Sequence, residues 1–292
     1  MLSAFLLTHR EIVLQNKGRV RLSEHTLSSV RGLLCKAMTP LDCSLLRSTR
    51  SIALHRYFFQ FHADRILHGR TASHPDRALI YTAVYQRFYN QFTKESDEDR
   101  TARAALGAMI QDQLTQLLCD VDPSQFETIL TMRYMKNMQV NGQQWEMNLV
   151  GASAVAAVVN TLLASRPSSR LYLSTNEEDA CMGIDFFWAE EGLGAAVSVQ
   201  AVAGMEGVKA YLATRKRGKQ KDSELNKKLA RTREGTTLLN TILNMNWIPV
   251  LVQVGKPYKA QIDFTSTANN DWCEGLFEKI TTHNARPVAS SA

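Results

Sequence analysis

What the chain lacks narrows its chemistry first. Its five cysteines, Cys35, Cys43, Cys119, Cys181 and Cys273, form no Cys-x-x-Cys pair. An odd count in a long chain argues against a disulfide framework or a zinc site, and for a reducing, intracellular compartment, cytoplasmic or nucleoid/nuclear. No apolar run reaches the ~18 residues that span a bilayer. The longest, 149–164, is interrupted by Gly151, Ser153 and Asn160, so no membrane role is expected. The opening MLSAFLLTHREIV has no basic region ahead of its short apolar run, and Arg10 and Glu11 follow at once; it does not read as a secretory signal. A glycine-rich phosphate loop, a Gly-x-Ser-x-Gly elbow and a Cys/His nucleophile pair are also missing. His55, His62 and His68 include no i, i+4 pair and lie among aromatics, which reads as core or interface rather than metal ligation.

What remains is an ordinary globular composition. The 292 residues are 45% hydrophobic and 21% charged, enough for a real core in one large or two ordinary domains. A net charge of +6 and a pI near 9.1 favour polyanionic partners.

Residues 1–140 read as an all-helical domain. A short candidate covers 27–38. Thr39-Pro40 starts a helix with an N-cap and a first-turn proline, and the pattern runs on towards Gly69. His74-Pro75 starts the next, and 104–118 repeats the period. Asp122-Pro123-Ser124-Gln125 opens another that ends near Asn141-Gly142. Residues 141–282 read as α/β: a helix over 145–164, strands over 171–173, 183–188 and 195–202, a helix over 236–246, a strand over 247–254 and a last helix over 271–280. The 247–254 strand reads as buried on both faces, although Pro249 suits the first residues of a strand or an edge. Residues 283–292 read as a flexible tail.

The centre of interest is the hairpin of residues 183–202. Its two apolar runs flank Ala-Glu-Glu-Gly-Leu-Gly, and each carries a polar residue, Asp185 in the first and Gln200 in the second. A carboxylate within an apolar strand needs a partner, because burying it alone is costly. Ser174-Thr175-Asn176-Glu177-Glu178-Asp179, Gly183-Ile184-Asp185-Phe186-Phe187 and Val197-Ser198-Val199-Gln200-Ala201 together resemble the core of the PD-(D/E)XK nuclease superfamily. The resemblance covers roughly 145–254. It implies a restriction-endonuclease-like α-β-β-β-α-β core within an α+β or α/β fold. It also implies that Asp185, with Glu146 from the first helix, holds Mg²⁺, which acidifies a water and neutralises charge in phosphodiester cleavage. Ser198 falls where the family places its second carboxylate, and Gln200 where it places lysine. Residues i and i+2 of a strand share a face, so both belong to the same candidate catalytic set as Asp185 and Glu146. Neither supplies the charge that the chemistry uses.

The segment 209–233 is basic, and Lys209, Arg215, Lys216, Arg217, Lys219 and Lys221 are candidate phosphate contacts. The aromatics of the helical half, Tyr57, Phe58, Phe59, Phe61, Tyr81, Tyr85, Phe88, Tyr89 and Phe92, alternate with arginines and suit either core packing or a DNA- or protein-facing surface. The sequence therefore predicts a nucleic-acid-binding protein, for DNA more than RNA, with a nuclease-like fold and a degenerate site, acting in binding or assembly. One alternative is an active Mg²⁺-dependent nuclease with a divergent site. Another is a helical protein–protein interaction protein, with a protein partner or a second copy docking on the helical region.

Overall fold

The structure is a computed structural model. It describes residues 5–6, 8–12, 41–42, 44–46, 49–67, 74–92, 96–120, 142–175, 178–193, 196–204, 207–214, 224–255 and 271–284. The predicted helices over 27–38 and 122–141, the helix start at Thr39-Pro40, the basic residues Arg215, Lys216, Arg217, Lys219 and Lys221, and all of the tail beyond Asn284 lie outside the described residues. The chain is α+β, helices with a six-stranded mixed sheet. It divides into two compact units, Gln15–Ala156, and Met1–Leu14 with Ala157–Ala292.

The helical unit contains α1 (Ile52–Leu67), α2 (His74–Tyr89), α3 (Asp97–Asp120) and the first part of α4 (Gly142–Ser165). Its core gathers Phe59, Val84, Tyr85, Phe88, Leu106, Ile110 and Leu114, all buried. The helical period puts these side chains on facing stripes. Two polar pairs are satisfied there: Tyr85 donates to Gln60 Oε1 at 2.6 Å, and Asn148 Nδ2 to Gln86 Oε1 at 2.8 Å.

The second unit is built on the sheet. Its strands are β1 (Arg10–Ile12), β2 (Arg170–Leu173), β3 (Phe186–Ala189), β4 (Ala196–Gly204), β5 (Val208–Leu212) and β6 (Trp247–Gly255), in spatial order β1-β2-β3-β4-β6-β5. β1 to β4 pair antiparallel, β4 and β6 parallel, and β5 antiparallel to β6. α5 (Glu224–Leu243) lies on β4 and β6, and α6 (Asp271–Asn284) packs near β5. The predicted hairpin is present, with Phe186 opposite Val199 and Ala189 opposite Ala196.

One local expectation changes and another is resolved. Arg10–Ile12 is a strand where the N-terminal half was expected to be helical throughout; it pairs with β2, a long-range contact that no local pattern encodes. Pro249 is the third residue of β6, among its first as expected, while β6 itself lies between β4 and β5 and not at an edge. The Pro249 carbonyl accepts from Ala213 at 2.9 Å, one residue past the last β5–β6 pair, Leu212 with Val250. The N–H that proline lacks thus falls where the β5 ladder has ended.

Arg166, just past α4, closes one end of this unit. It holds Glu190 through Nη2 at 2.6 Å and Glu274 of α6 through Nη1 at 3.0 Å, and lies 3.6 Å over the Phe277 ring. Ser169 donates to Glu190 at 2.8 Å and accepts from Trp188 Nε1 at 2.9 Å. Burial pushes the Glu190 carboxyl up, but its bonds from Arg166 and Ser169 outweigh that and leave it below the ordinary carboxylate value.

Candidate functional site

The site is assembled where β3 and β4 pair beneath α5. Asp185 immediately precedes β3 and is buried. Its backbone N–H donates to Val199 O at 2.8 Å, and its carbonyl accepts from Ser174 N and Oγ at 3.2 and 2.9 Å. Its Oδ2 accepts from the Ala201 N–H at 2.6 Å. The carboxylate therefore finishes the β3–β4 ladder in place of a backbone carbonyl. Burial drives this carboxyl well above its ordinary value, and the neighbouring Asp179 adds to the rise; the Ala201 N–H, Lys228 and Arg231 pull it down without prevailing.

Ser198 and Gln200 lie two residues apart on β4, on the face covered by α5. Gln200 Oε1 accepts from Thr232 Oγ1 at 2.6 Å, and the Ser198 and Thr236 hydroxyls meet at 2.7 Å. Thr232 and Thr236 are one helical turn apart, so their ~6 Å rise matches the ~6.6 Å between alternate strand residues. All four side chains are buried. Each threonine hydroxyl also meets a carbonyl four residues back, Lys228 O at 3.0 Å and Thr232 O at 2.7 Å. The positions where the resemblance places a carboxylate and a lysine are thus zipped to the helix by hydroxyl bonds.

Close approach of α5 makes the zipper. A single π-turn, Glu178–Met182, precedes Gly183, whose φ of 66° suits glycine. A Cβ on Gly183 would come within 3.2 Å of Arg231 Cδ and Gln200 Nε2. A Cβ on Gly235 would lie 2.6 Å from Met182 Cβ, so only glycine lets the helix sit this near the turn. Arg231 Nη2 donates to Asp179 O at 3.0 Å and to Ala180 O.

On the other side of the turn, His9 Nε2 lies 2.9 Å from Glu178 Oε2. Glu178 also accepts from Thr175 N at 2.7 Å. Burial pulls the His9 ring down, but its bonds to Glu178 and to the Phe5 carbonyl raise it above its ordinary value.

The predicted site residues are thus distributed as follows. Asp185, Ser198 and Gln200 share one corner of the sheet. Glu146 lies in the first part of α4, in the helical unit, and its side chain is outside the described residues. Lys209 is exposed on β5. Sequence reasoning missed Thr232, Thr236 and His9. The first two carry a readable signal, a Thr-x-x-x-Thr spacing that matches the Ser-x-Gln of β4; His9 carries none.

Mg²⁺ seeks converging oxygen ligands, and among the described residues no group of three or more His, Cys, Asp or Glu side chains could hold a metal. Nor, among the described residues, is any helix long and apolar enough to cross a membrane.

The aromatic set of the helical unit divides. Phe59, Tyr81, Tyr85, Phe88, Tyr89 and Phe92 are buried, whereas Tyr57 and Phe61 are exposed. His55 is buried with Nδ1 2.8 Å from Ser51 O, and His62 lies 4.4 Å from the Phe58 ring; His68 is outside the described residues.

Comparison with family models, curated proteins and solved structures yields no match to this chain.

Proposed function

We propose that this chain is a nucleic-acid-binding protein on a nuclease-like framework, in which the family's catalytic positions have taken structural duties and the protein acts in binding or assembly. The order α4, β2, β3, β4, α5, β6 agrees with the helix, strand, strand, strand, helix, strand order of the PD-(D/E)XK core, with β5 added at the far edge. The observation that carries the reading is the hydroxyl zipper: Ser198 and Gln200 spend their polar atoms on Thr236 and Thr232, and Asp185 spends an oxygen on the Ala201 N–H. A water-activating site needs those groups free to face a metal and a phosphodiester.

Nucleic acid is the favoured partner because basic side chains concentrate on the segment that joins β5 to α5. Lys209 and Lys227 are exposed on its flanks, and Arg215, Lys216, Arg217, Lys219 and Lys221 lie between them in sequence. Phosphate contacts of this kind give affinity that falls with salt.

The test is fluorescence anisotropy of the full chain with single-stranded DNA, duplex DNA and RNA across a salt series, alongside cleavage assays with Mg²⁺ and Mn²⁺. Binding should weaken with salt, and neutralising Arg215, Lys216 and Arg217 together should lower both the affinity and its salt slope. Asp185→Ala should leave binding intact. Metal-dependent cleavage abolished by Asp185→Ala would overturn the reading in favour of an active nuclease. Affinity indifferent to salt and to the three charges would remove the nucleic-acid role.

A further inference from the structure

We propose that the outer face of α1 is a stacking platform for single-stranded nucleic acid, on which Tyr57 and Phe61 carry bases while Arg50 and Arg65 hold the flanking phosphates. The class of partner rests on the nucleic-acid reading above. The surface is a different one, in the helical unit and away in sequence from the basic segment.

α1 has two contrasting stripes. His55, Phe59 and Ala63, four residues apart, are its buried side. Leu54, Tyr57 and Phe61 recur at spacings of three and four on the opposite side, and they are 55, 73 and 59% exposed. Folding asks nothing of these three, because apolar surface left in water contributes no burial. A lone exposed apolar residue is ordinary, but two aromatic rings and a leucine in one line make a surface.

The line ends in cations. Arg65 follows Phe61 by one turn, with its guanidinium 5.8 Å over that ring, within cation–π reach. Arg50 precedes the helix, four residues before Leu54, with 77% of its side chain exposed. It meets Asp97 at 3.0 Å in an exposed pair, which contributes little. Arg100 holds the other oxygen of Asp97 at 3.2 Å, so Asp97 keeps a partner when Arg50 turns to a phosphate. Asp64 is the one acid of α1. It is engaged by the Tyr81 hydroxyl and by Gln60 Nε2 at 3.1 Å, and Arg77 of α2 acts on the same tyrosine. From Leu54 to Arg65 the stripe runs about 16 Å, the length of about five stacked nucleotides.

These features select the partner. Aromatic rings stack on base faces whatever the sequence, and arginine adds phosphate contact and cation–π attraction. A duplex keeps its base faces inside and presents only edges and backbone, so the strand that uses the rings is single. A second copy fits poorly: side-by-side two-fold pairing of the stripe sets the arginines of one α1 against those of the other, and like charges across an interface are costly.

Fluorescence anisotropy of the full chain with oligo(dT), oligo(U) and duplex DNA tests this, using a variant that combines Tyr57→Ser with Phe61→Ser. Its single-strand affinity, for either sugar, should fall at least about tenfold, since each stacked ring contributes about fivefold or more. Duplex affinity should hold within about twofold, and the salt slope should not change, because the rings carry no charge. Tyr57→Phe with Phe61→Tyr keeps both rings and should bind single strands like the wild type. On the wild type alone, ultraviolet crosslinking to oligo(dT) and mass spectrometry should find nucleotide on the tryptic peptide 57–65, which lies between the cuts after Arg56 and Arg65; this stands even if the serine variant fails to fold. Unchanged single-strand affinity in the serine variant, an equal loss on duplex, or crosslinks confined to other peptides would each overturn the platform. So would self-association of the wild type that the serine variant abolishes, which assigns the face to a second copy. If single-strand binding falls on neutralising Arg215, Lys216 and Arg217 but ignores the rings, the platform fails and the nucleic-acid reading stands; if no strand binds in a salt-dependent way, both fail.

Discussion

Thr232 lies over Gln200 with its hydroxyl proton directed to the amide oxygen at 2.6 Å, and Lys228 O lies 3.0 Å from the same hydroxyl oxygen. Thr232→Val keeps the shape and deletes the donor, leaving a buried amide oxygen without its partner. The expected cost is about 1–3 kcal/mol in urea unfolding. Thr237, an exposed neighbour on the same helix, provides the comparison: Thr237→Val should stay within about 0.5 kcal/mol of wild type. Equal losses at the two positions would show that the Thr232 bond contributes nothing particular.

Asp185 makes stability depend on pH in an unusual direction. Its folded-state pKa lies above the ordinary 3.8, chiefly through burial. The folded protein therefore binds this proton more tightly than the unfolded chain, and the associated stability is full below that value and lost as pH rises through the folded one. Asp185→Asn keeps an oxygen for the Ala201 N–H and carries no charge. It should be more stable than wild type at neutral pH, with the advantage shrinking towards acid. Thermal melts across pH would refute this if the gap were constant or reversed.

Gly235 faces the backbone of the π-turn with no room for a methyl group. Gly235→Ala is expected to cost about 1–3 kcal/mol, the usual penalty of overpacking, although alanine is the better helix former. Gly275 of α6 has open space at its Cβ. There the same change should be neutral or stabilise by up to about 1 kcal/mol. Opposite signs for the two substitutions are the outcome to look for in denaturant titrations.

The Arg166–Glu190 pair joins the end of α4 to the end of β3, and just 4% of the Glu190 side chain is exposed. Glu190→Gln removes the charge while Arg166 keeps its contact with Glu274. Breaking one partner of a buried pair typically costs about 3–5 kcal/mol; the partial exposure of Arg166 places the expected loss near about 3 kcal/mol. Because the pair is enclosed, wild-type stability should change little with moderate salt. A loss under about 1 kcal/mol would mark the pair as a surface-type interaction.

Much of this fold was legible because the signals are local. Proline and histidine mark the start of α2, and the 247–254 apolar run announces β6. The two runs around Ala-Glu-Glu-Gly-Leu-Gly give the β3–β4 hairpin, and from Asp185 and Gln200 alone the sequence shows which corner of the sheet is unusual. β1 was hidden because a three-residue strand has no period to read, and its partner lies about 160 residues away, as with Glu11 and Arg170. α5 extends from Glu224 rather than from Thr236 because its first half is polar and exposed on one face, which reads as a charged segment until the buried Leu229 and Thr232 are placed against the sheet. The roles of Ser198 and Gln200 were hidden for a related reason. A serine opposite a threonine looks the same in sequence whether it is free or bonded.

The zipper between β4 and α5 has a consequence for how this corner can change. Ser198 is tied to Thr236 and Gln200 to Thr232, so each position is legible to selection only together with its partner. Replacing either side alone leaves a stranded hydroxyl or amide, whereas replacing both with apolar groups restores a dry fit. The cycle Ser198→Ala, Thr236→Val and the pair should therefore be non-additive. Substitutions here would be accepted two at a time, and a route to a charged corner would first have to cross a less stable chain.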